Sequence, residues 1–528
     1  MKKVSMNKQK IITISLVVLT VVILAAALRG LPGNPSSEEL NGVWSIEGSP
    51  LETSNERGRF ALTYSIIENK SLMLAVPLAR FSTPDLATVN AKYVSLFPPG
   101  VSFLIIPGYL IGKLIGASQI GAYVVVSLFA VLNLFLIRSL AIRLGAHPLA
   151  ANLGGFAFLF ATPAFSYGVS LYQHHFSVFL ILFSLYMLLR WNNLWSLTVV
   201  WFLCGLSVIV DNPNFFMMLP IALFALSRII WIARDRDWFS LTVRYVALIT
   251  LGSVLVPAIF FAWYNLAAHG SPWQLSGTLE RVLTIDENGQ TIDLDAKEAL
   301  VGNSAEQDVD VVRKKTAVGF FATRNMLNGL YIHTISLDRG VLWFTPVILL
   351  GVFGLSFTDR TKARIGALLV SIIGVNVVLY SMWGDPWGGW AFGSRYMIPT
   401  YAMLAIGLAV TLSRWRGKRV LLVVFLGLFC YSAWVNSLGA ITSNSNPPEM
   451  EALALEELTG QEQKYTYARN FDYLISNQSK SLVWQTVARK YVSATTYHWL
   501  LTSIILVIAA VITYGLASSK PLTKEGIL

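Results

Sequence analysis

The chain has 528 residues, of which 55% are hydrophobic and 13% charged, and a formal net charge of +11. A soluble domain carries about 25% charged residues, so this much apolar surface excludes a water-soluble globule and makes a bilayer the natural solvent. The positive excess then reads as basic loops that hold orientation across a membrane, not as a nucleic-acid surface.

Lys2, Lys3, Lys8 and Lys10 precede an apolar run from Ile11 to Leu28 that is long enough to cross. Ala25-Ala26-Ala27 has the small residues of a cleavage region, but an uncleaved first span is the preferred reading because more spans follow. Further runs of crossing length lie at Ile120–Ile137, Leu149–Tyr167, Phe176–Leu189, Leu194–Val210, Phe215–Ile232 and Phe239–Tyr264. Five more lie at Val341–Phe357, Ile365–Met382, Met397–Leu412, Val420–Leu438 and Trp499–Leu516. With the first, these make twelve expected spans. Val101–Ile115 is also apolar, but it sits between Pro98-Pro99-Gly100 and Gly116. Counting it as a span would invert every later loop, so it is expected to lie on or dip into the outer leaflet.

Alternate loops differ in charge. One set is short and basic: Arg138/Arg143, Arg190, Arg228/Arg234/Arg236, Arg360/Lys362/Arg364, Arg414/Arg416/Lys418/Arg419 and Lys520/Lys524. These are expected on the cytoplasmic side. The other set holds nearly all the acids and the long outer loops, residues 30–119, 265–340 and 439–498. The two cysteines, Cys204 and Cys430, lie within apolar runs and make no disulfide framework. The spans carry almost no charge, with Asp211 at a span end, which counts against ion-coupled transport. Chemistry is therefore expected in the outer loops. The chain divides into a catalytic membrane region, 1–438, and an outer loop with a last helix, 439–528.

The first outer loop holds Asn55-Glu56-Arg57-Gly58-Arg59-Phe60, followed by Ala61, Tyr64 and Ile67 at helical spacing. Asn55 is the expected N-cap, which puts Glu56 in the first turn beside Arg57 and Arg59. A carboxylate among arginines at a membrane surface suits a general base working next to an anionic phosphate; a solvated first turn fits the same residues. Lys92 and Tyr93, before Pro98-Pro99-Gly100, suit phosphate and sugar contacts or an interfacial anchor. Arg339, in Asp338-Arg339-Gly340, is a phosphate fork or a snorkelling interfacial side chain. In Trp383-Gly384-Asp385-Pro386-Trp387-Gly388-Gly389-Trp390, followed by Arg395-Tyr396, the tryptophans fit a saccharide surface or an aromatic belt. The belt leaves the glycine spacing and Arg395 unexplained. His174 and His175 point about 100° apart on a helix, so both cannot easily bind one metal. Asp286, Glu287, Asp293 and Asp295 read as a solvated loop, and Glu449, Glu451, Glu456, Glu457 and Glu462 as an acidic cap.

In this order the motifs resemble the GT-C class of membrane glycosyltransferases, in particular bacterial enzymes similar to protein O-mannosyltransferases and lipid A aminoarabinose transferases. The resemblance rests on Asn55-Glu56-Arg57 with Glu68 behind it, Lys92-Tyr93, Pro98-Pro99-Gly100, Asp338-Arg339-Gly340 with Phe344 and Pro346, and Trp387-Gly388-Gly389-Trp390 with Gly393, Arg395-Tyr396 and Pro399. It implies an all-α polytopic bundle of about twelve spans with extracytoplasmic loop helices and membrane-lying helices. It implies a multi-pass protein of the plasma (inner) membrane with its active site on the extracytoplasmic side. The reaction it implies is transfer of a sugar from a polyprenyl-phosphate donor to an acceptor hydroxyl, with inversion. Many members carry two adjacent acids where this chain has Asn55 and Glu56, so Glu56 is the expected base. Arg57, Arg59, Lys92, Arg339 and Arg395 are the expected phosphate ligands. Tyr93, Trp387, Trp390, Tyr396, His174 and His175 are the expected sugar or lipid contacts. The partners implied are the lipid-linked donor, membrane lipid and a glycan, lipid or protein acceptor; no cofactor is required, and a divalent cation stays open. The competing readings are a flippase for a lipid-linked glycan and a non-catalytic assembly protein.

Overall fold

A computed structural model of the protein describes residues 2–42, 49–234, 239–291, 319–357 and 359–519. Asp293, Asp295, Arg236, Lys520 and Lys524 lie outside the described residues. Six helices are long and apolar enough to cross a membrane: Ser118–Arg143, Tyr245–His269, Arg360–Ser381, Arg395–Arg414, Arg419–Ile441 and Ala494–Ala517. Ile12–Ala27, Pro148–Phe160, His174–Arg190, Leu194–Val210 and Asn214–Leu226 are shorter apolar helices. A chain built around such helices is an integral membrane protein, because its apolar faces have no other solvent.

Several expected spans are reshaped by local chemistry. Leu149–Tyr167 breaks after Phe160 at Thr162-Pro163 and resumes as Ala164–Gly168, since proline cannot donate into the preceding turn. Phe215–Ile232 ends as a helix at Leu226, and Ile230–Arg234 pairs antiparallel with Phe239–Val243. That run is rich in β-branched and aromatic residues, which favour extended backbone. The expected span from Phe239 thus starts later, at Tyr245. Val341–Phe357 is a short helix, Val341–Phe344, then a tight 3-10 segment, Pro346–Gly354. Val101–Ile115 forms two short helices, Gly100–Leu104 and Ile106–Leu114, outside the crossing set. Leu110, Ile111, Leu114 and Ile115 point outward from it, as a membrane-lying element requires.

The architecture is helical with small β additions. Lys92–Ser95, Leu86–Val89 and Glu280–Val282 form an antiparallel sheet that ties the first outer loop to the second. Its first hairpin turns on Asn90 and Ala91, both with left-handed backbone (φ 49° and 59°), the geometry that matches strand twist in a two-residue turn.

The most central helix is Arg395–Arg414, nine-tenths buried. It packs backbone to backbone on Pro346–Gly354: a Cβ at Gly354 would lie 1.8 Å from the Gly407 carbonyl oxygen, and one at Gly407 would lie 2.2 Å from that of Gly351. Small residues at such contacts are the usual means of helix association in lipid.

The two ends of the bundle differ. At one end Arg143 donates to the Leu189 carbonyl, Arg228 to that of Trp191 and Arg414 to that of Ser356. At the other end meet the end of Ile12–Ala27, the starts of His174–Arg190 and Arg395–Arg414, and the ends of Leu194–Val210 and Arg419–Ile441. Gly354→Val is expected to force the central pair apart and cost roughly 1–3 kcal/mol, read as a lower melting temperature in detergent. At Gly374 an added methyl meets open space, so Gly374→Ala should stay within about 0.5 kcal/mol of the parent.

Candidate active site

The helix carrying the expected base spans Ser54–Glu68, and its N-cap is Thr53, not Asn55. Thr53 has extended backbone (φ −105°, ψ 150°) but caps nothing with its side chain. Its hydroxyl is engaged instead with the Tyr172 hydroxyl at 2.6 Å. Asn55 therefore sits one position inside the helix, where its carbonyl accepts from Arg59 Nη1 at 2.9 Å.

Two glutamates, four residues apart, flank this helix start: Glu56 is buried, and the Glu52 side chain keeps 8% exposure. Glu52 is fully committed. Arg29 Nη1 lies 2.9 Å from Oε2, Lys480 Nζ 3.1 Å from Oε1, and the Asn444 N–H donates to Oε2 at 3.0 Å. Burial alone would push its carboxyl up, but Lys480 and Arg29 outweigh that and hold it below the usual carboxylate range. Glu56 has no ion pair within 4 Å among the described residues. It accepts from the Leu171 N–H at 3.0 Å and from the Thr53 hydroxyl at 3.4 Å. Burial pushes its carboxyl above the usual range, and the more distant Arg29 opposes this only in part.

Tyr172 stands at the centre of the cluster. His174 stacks on it (5.8 Å, 14°), and Tyr167 meets it edge-on at 4.9 Å. The Arg395 guanidinium sits 5.1 Å from its ring centre and that of Arg59 5.9 Å. Arg59 spends two donors on Asn55 and Gln173, and Gln173 in turn donates to Asp211 at 3.3 Å. Burial lowers Arg59 to about 10, with Asp211 opposing. Burial also raises Asp211 to about 6 despite Arg59. The Nε of Arg59, the Nε of Arg395 and the Nε2 of His174 are buried without a hydrogen-bond partner. Buried polar atoms of this kind are rare and costly; two of the three around this tyrosine are guanidinium donors, and the third is a ring nitrogen whose role depends on the tautomer.

The other expected ligands are placed differently. Arg57 points away from the cluster and donates to the carbonyls of Phe81 (2.7 Å), Glu52 (2.9 Å) and Thr83 (2.6 Å), so it braces the loop rather than waiting for phosphate. Arg339 binds Asp338 and the carbonyls of Trp387 and Gly389, which makes it the clasp of the tryptophan-glycine loop. Lys92 is exposed at the end of its strand, and Tyr93 donates to the Gly289 carbonyl. Tyr93 thus serves the contact between the two loops. His175 is a core residue held by Asn133 and the Ala164 carbonyl. Trp390 donates to Glu451 at 2.5 Å and lies under Arg469. Trp387 gives its backbone carbonyl to Arg339. Tyr396 stacks on Tyr380 (4.2 Å) and carries Arg395 over its ring.

Glu52, Arg29, Lys480, Tyr172 and Asp211 were not singled out from sequence as site residues. Glu52 left one usable signal, its four-residue spacing from Glu56. Lys480 left none, being more than 400 positions away. Among the described residues no three His, Cys, Asp or Glu side chains converge on one point. Glu52 is also already saturated by cations.

No family model matches the chain, and no curated protein does. Among solved structures it is similar to ArnT from Cupriavidus metallidurans in the apo state, with a TM-score of 0.46, 13% identity, and coverage of 96% of this chain and 77% of that one. It is similar also to the same ArnT bound to undecaprenyl phosphate, with a TM-score of 0.46, 13% identity, and coverage of 95% and 76%.

Lys480→Met leaves Glu52 enclosed with half its neutralising charge and is expected to cost about 3–5 kcal/mol. Ionised Glu52 stabilises the fold above its unfolded pKa, a contribution lost as the pH falls through its lower folded value. Thermal unfolding across pH should show the variant destabilised most at neutral pH and converging on the parent in acid.

Proposed function

We propose that the protein transfers a sugar from a polyprenyl-phosphate donor to an acceptor hydroxyl, at the end of the bundle opposite the basic loops, on the extracytoplasmic face. One observation supports this reading: an unpaired buried carboxylate, Glu56, is joined through the Thr53 hydroxyl to Tyr172, against whose ring stand two arginines, Arg59 and Arg395, that hold unsatisfied N–H groups. A base and a phosphate-binding site side by side are what displacement at an anomeric carbon needs when phosphate is the leaving group.

Glu56 takes the proton of the acceptor hydroxyl as that oxygen bonds to the anomeric carbon. The bond between that carbon and the phosphate oxygen breaks, and its electron pair leaves with the phosphate. A retaining glycosidase uses a second carboxyl as its nucleophile, but here the leaving group departs as an anion and needs positive charge opposite it. Arg395 supplies that charge with no carboxylate paired to it among the described residues, and Arg59 and His174 add donors. A single displacement inverts configuration. The raised pKa makes Glu56 a stronger base once ionised. Glu52, locked to Arg29 and Lys480, places the helix start and takes no proton.

Glu56→Gln keeps the shape and is expected to leave folding intact while lowering transfer at least 10³-fold, measured by mass spectrometry with a panel of polyprenyl-phosphate sugars. Full transfer by this variant would remove Glu56 as the base. A flippase would instead move lipid-linked sugar between leaflets without consuming it. In the parent, kcat/KM should fall on the acid side through a pKa above the ordinary glutamate value of 4.5, because ionised Glu56 is the active form. Arg395→Gln should lower kcat/KM by about 10²–10³-fold, whereas Arg57→Gln should act mainly on stability.

A further inference from the structure

The basic end of the bundle holds a cavity of about 280 Å³, bounded by the turn at Gly145, by Phe357 and Asp359, by Lys362 in the first turn of Arg360–Ser381, and by Ser413 and Arg414 at the end of the central helix. None of these residues belongs to the cluster around Glu56. Its polar lining is mostly donors. The Lys362 ammonium approaches Gly145, where an added Cβ would lie 3.0 Å from Nζ, and it makes no ion pair among the described residues. Ser413 Oγ accepts from the His147 N–H at 2.8 Å, which leaves its own hydrogen to give. Arg414 donates to the carbonyls of Phe353 and Ser356 and stands over the Phe357 ring at 6.0 Å, again with no carboxylate within 4 Å among the described residues. The one acid, Asp359, uses Oδ1 to cap the Lys362 N–H at 2.9 Å.

We infer that this cavity binds the phosphate group of an anionic phospholipid from the leaflet at the basic end. Two cations against one carboxylate leave a single positive charge, which a phosphodiester monoanion neutralises and a free phosphate dianion exceeds. The cavity lies at helix ends, and basic pockets between membrane helices suit anionic headgroups. Arg414 of the lining reaches the Phe353 carbonyl, and Phe353 and its neighbour Val352 are 57% and 55% exposed. Their outward apolar surface suits acyl chains and offers nothing to an inorganic ion. The site is independent of the transfer reaction proposed above.

Native mass spectrometry of the purified full chain, with added phosphatidylglycerol or phosphatidylcholine, tests this. Phosphatidylglycerol should be retained in preference. Lys362→Met should weaken it about fivefold with an unchanged melting temperature, and Lys362→Arg should restore it. Excess inorganic phosphate should leave the lipid bound. The assignment is overturned if both lipids bind equally, or if a folded Lys362→Met variant retains phosphatidylglycerol as the parent does. It is also overturned if inorganic phosphate alone displaces the lipid in a Lys362-dependent way, since the ligand is then the free ion.

Discussion

The enclosure of Glu52 between Arg29 and Lys480 is the constraint on which the rest of that end of the bundle depends. Three segments far apart in the chain meet there: the exit of the first helix, the start of the first-loop helix and the last outer segment. Arg29 also reaches the Gly439 carbonyl, and the Leu482 N–H donates to that of Leu28. A buried charge left alone costs several kcal/mol, so these contacts are made together or not at all. Once Glu52 is held, the helix that begins two residues later has its direction set, and Glu56, one turn on, arrives beside Tyr172.

The two glutamates then divide their work by environment. Both lie on one short stretch of chain, yet burial decides the protonation of one and neighbouring cations that of the other. Glu52 gains ionisation and loses freedom. Glu56 keeps an unpaired carboxylate, which is what proton transfer requires. The arginines divide in the same way. Arg57 is used up on carbonyls, while Arg59 and Arg395 each keep a buried donor without a partner, and Arg339, though it clasps Asp338 and two carbonyls, keeps Nη2.

Rigidity behind the cluster comes from the central helix pair. The backbones of Arg395–Arg414 and Pro346–Gly354 touch through glycines, so the helix that presents Arg395 has little room to shift. The Pro346 break and the tight 3-10 winding of the neighbouring segment are the local price of that contact. The opposite end repeats the contrast: basic residues close helix ends through carbonyls, and Lys362 alone faces a cavity without a partner among the described residues.

The sequence by itself determined that the chain lives in a bilayer, which loops are basic, that Val101–Ile115 stays out of the crossing set, and that a helix carrying Glu56 follows the first span. These follow from apolar run length, charge placement and 3.6-residue periodicity, which are local properties. Broken spans were less legible, because a proline or a β-branched run interrupts an apolar stretch without changing its hydropathy. The identity of the free cations was decided only by tertiary structure. Arg57 and Arg59 look alike in sequence, two positions apart on one helix, but they face opposite sides: one meets three carbonyls, the other meets Tyr172 and Gln173. Lys480 enters through a contact across more than 400 residues. Whether a charged group is spent or available depends on which partners the fold brings within about 3 Å, and no spacing along the chain records that.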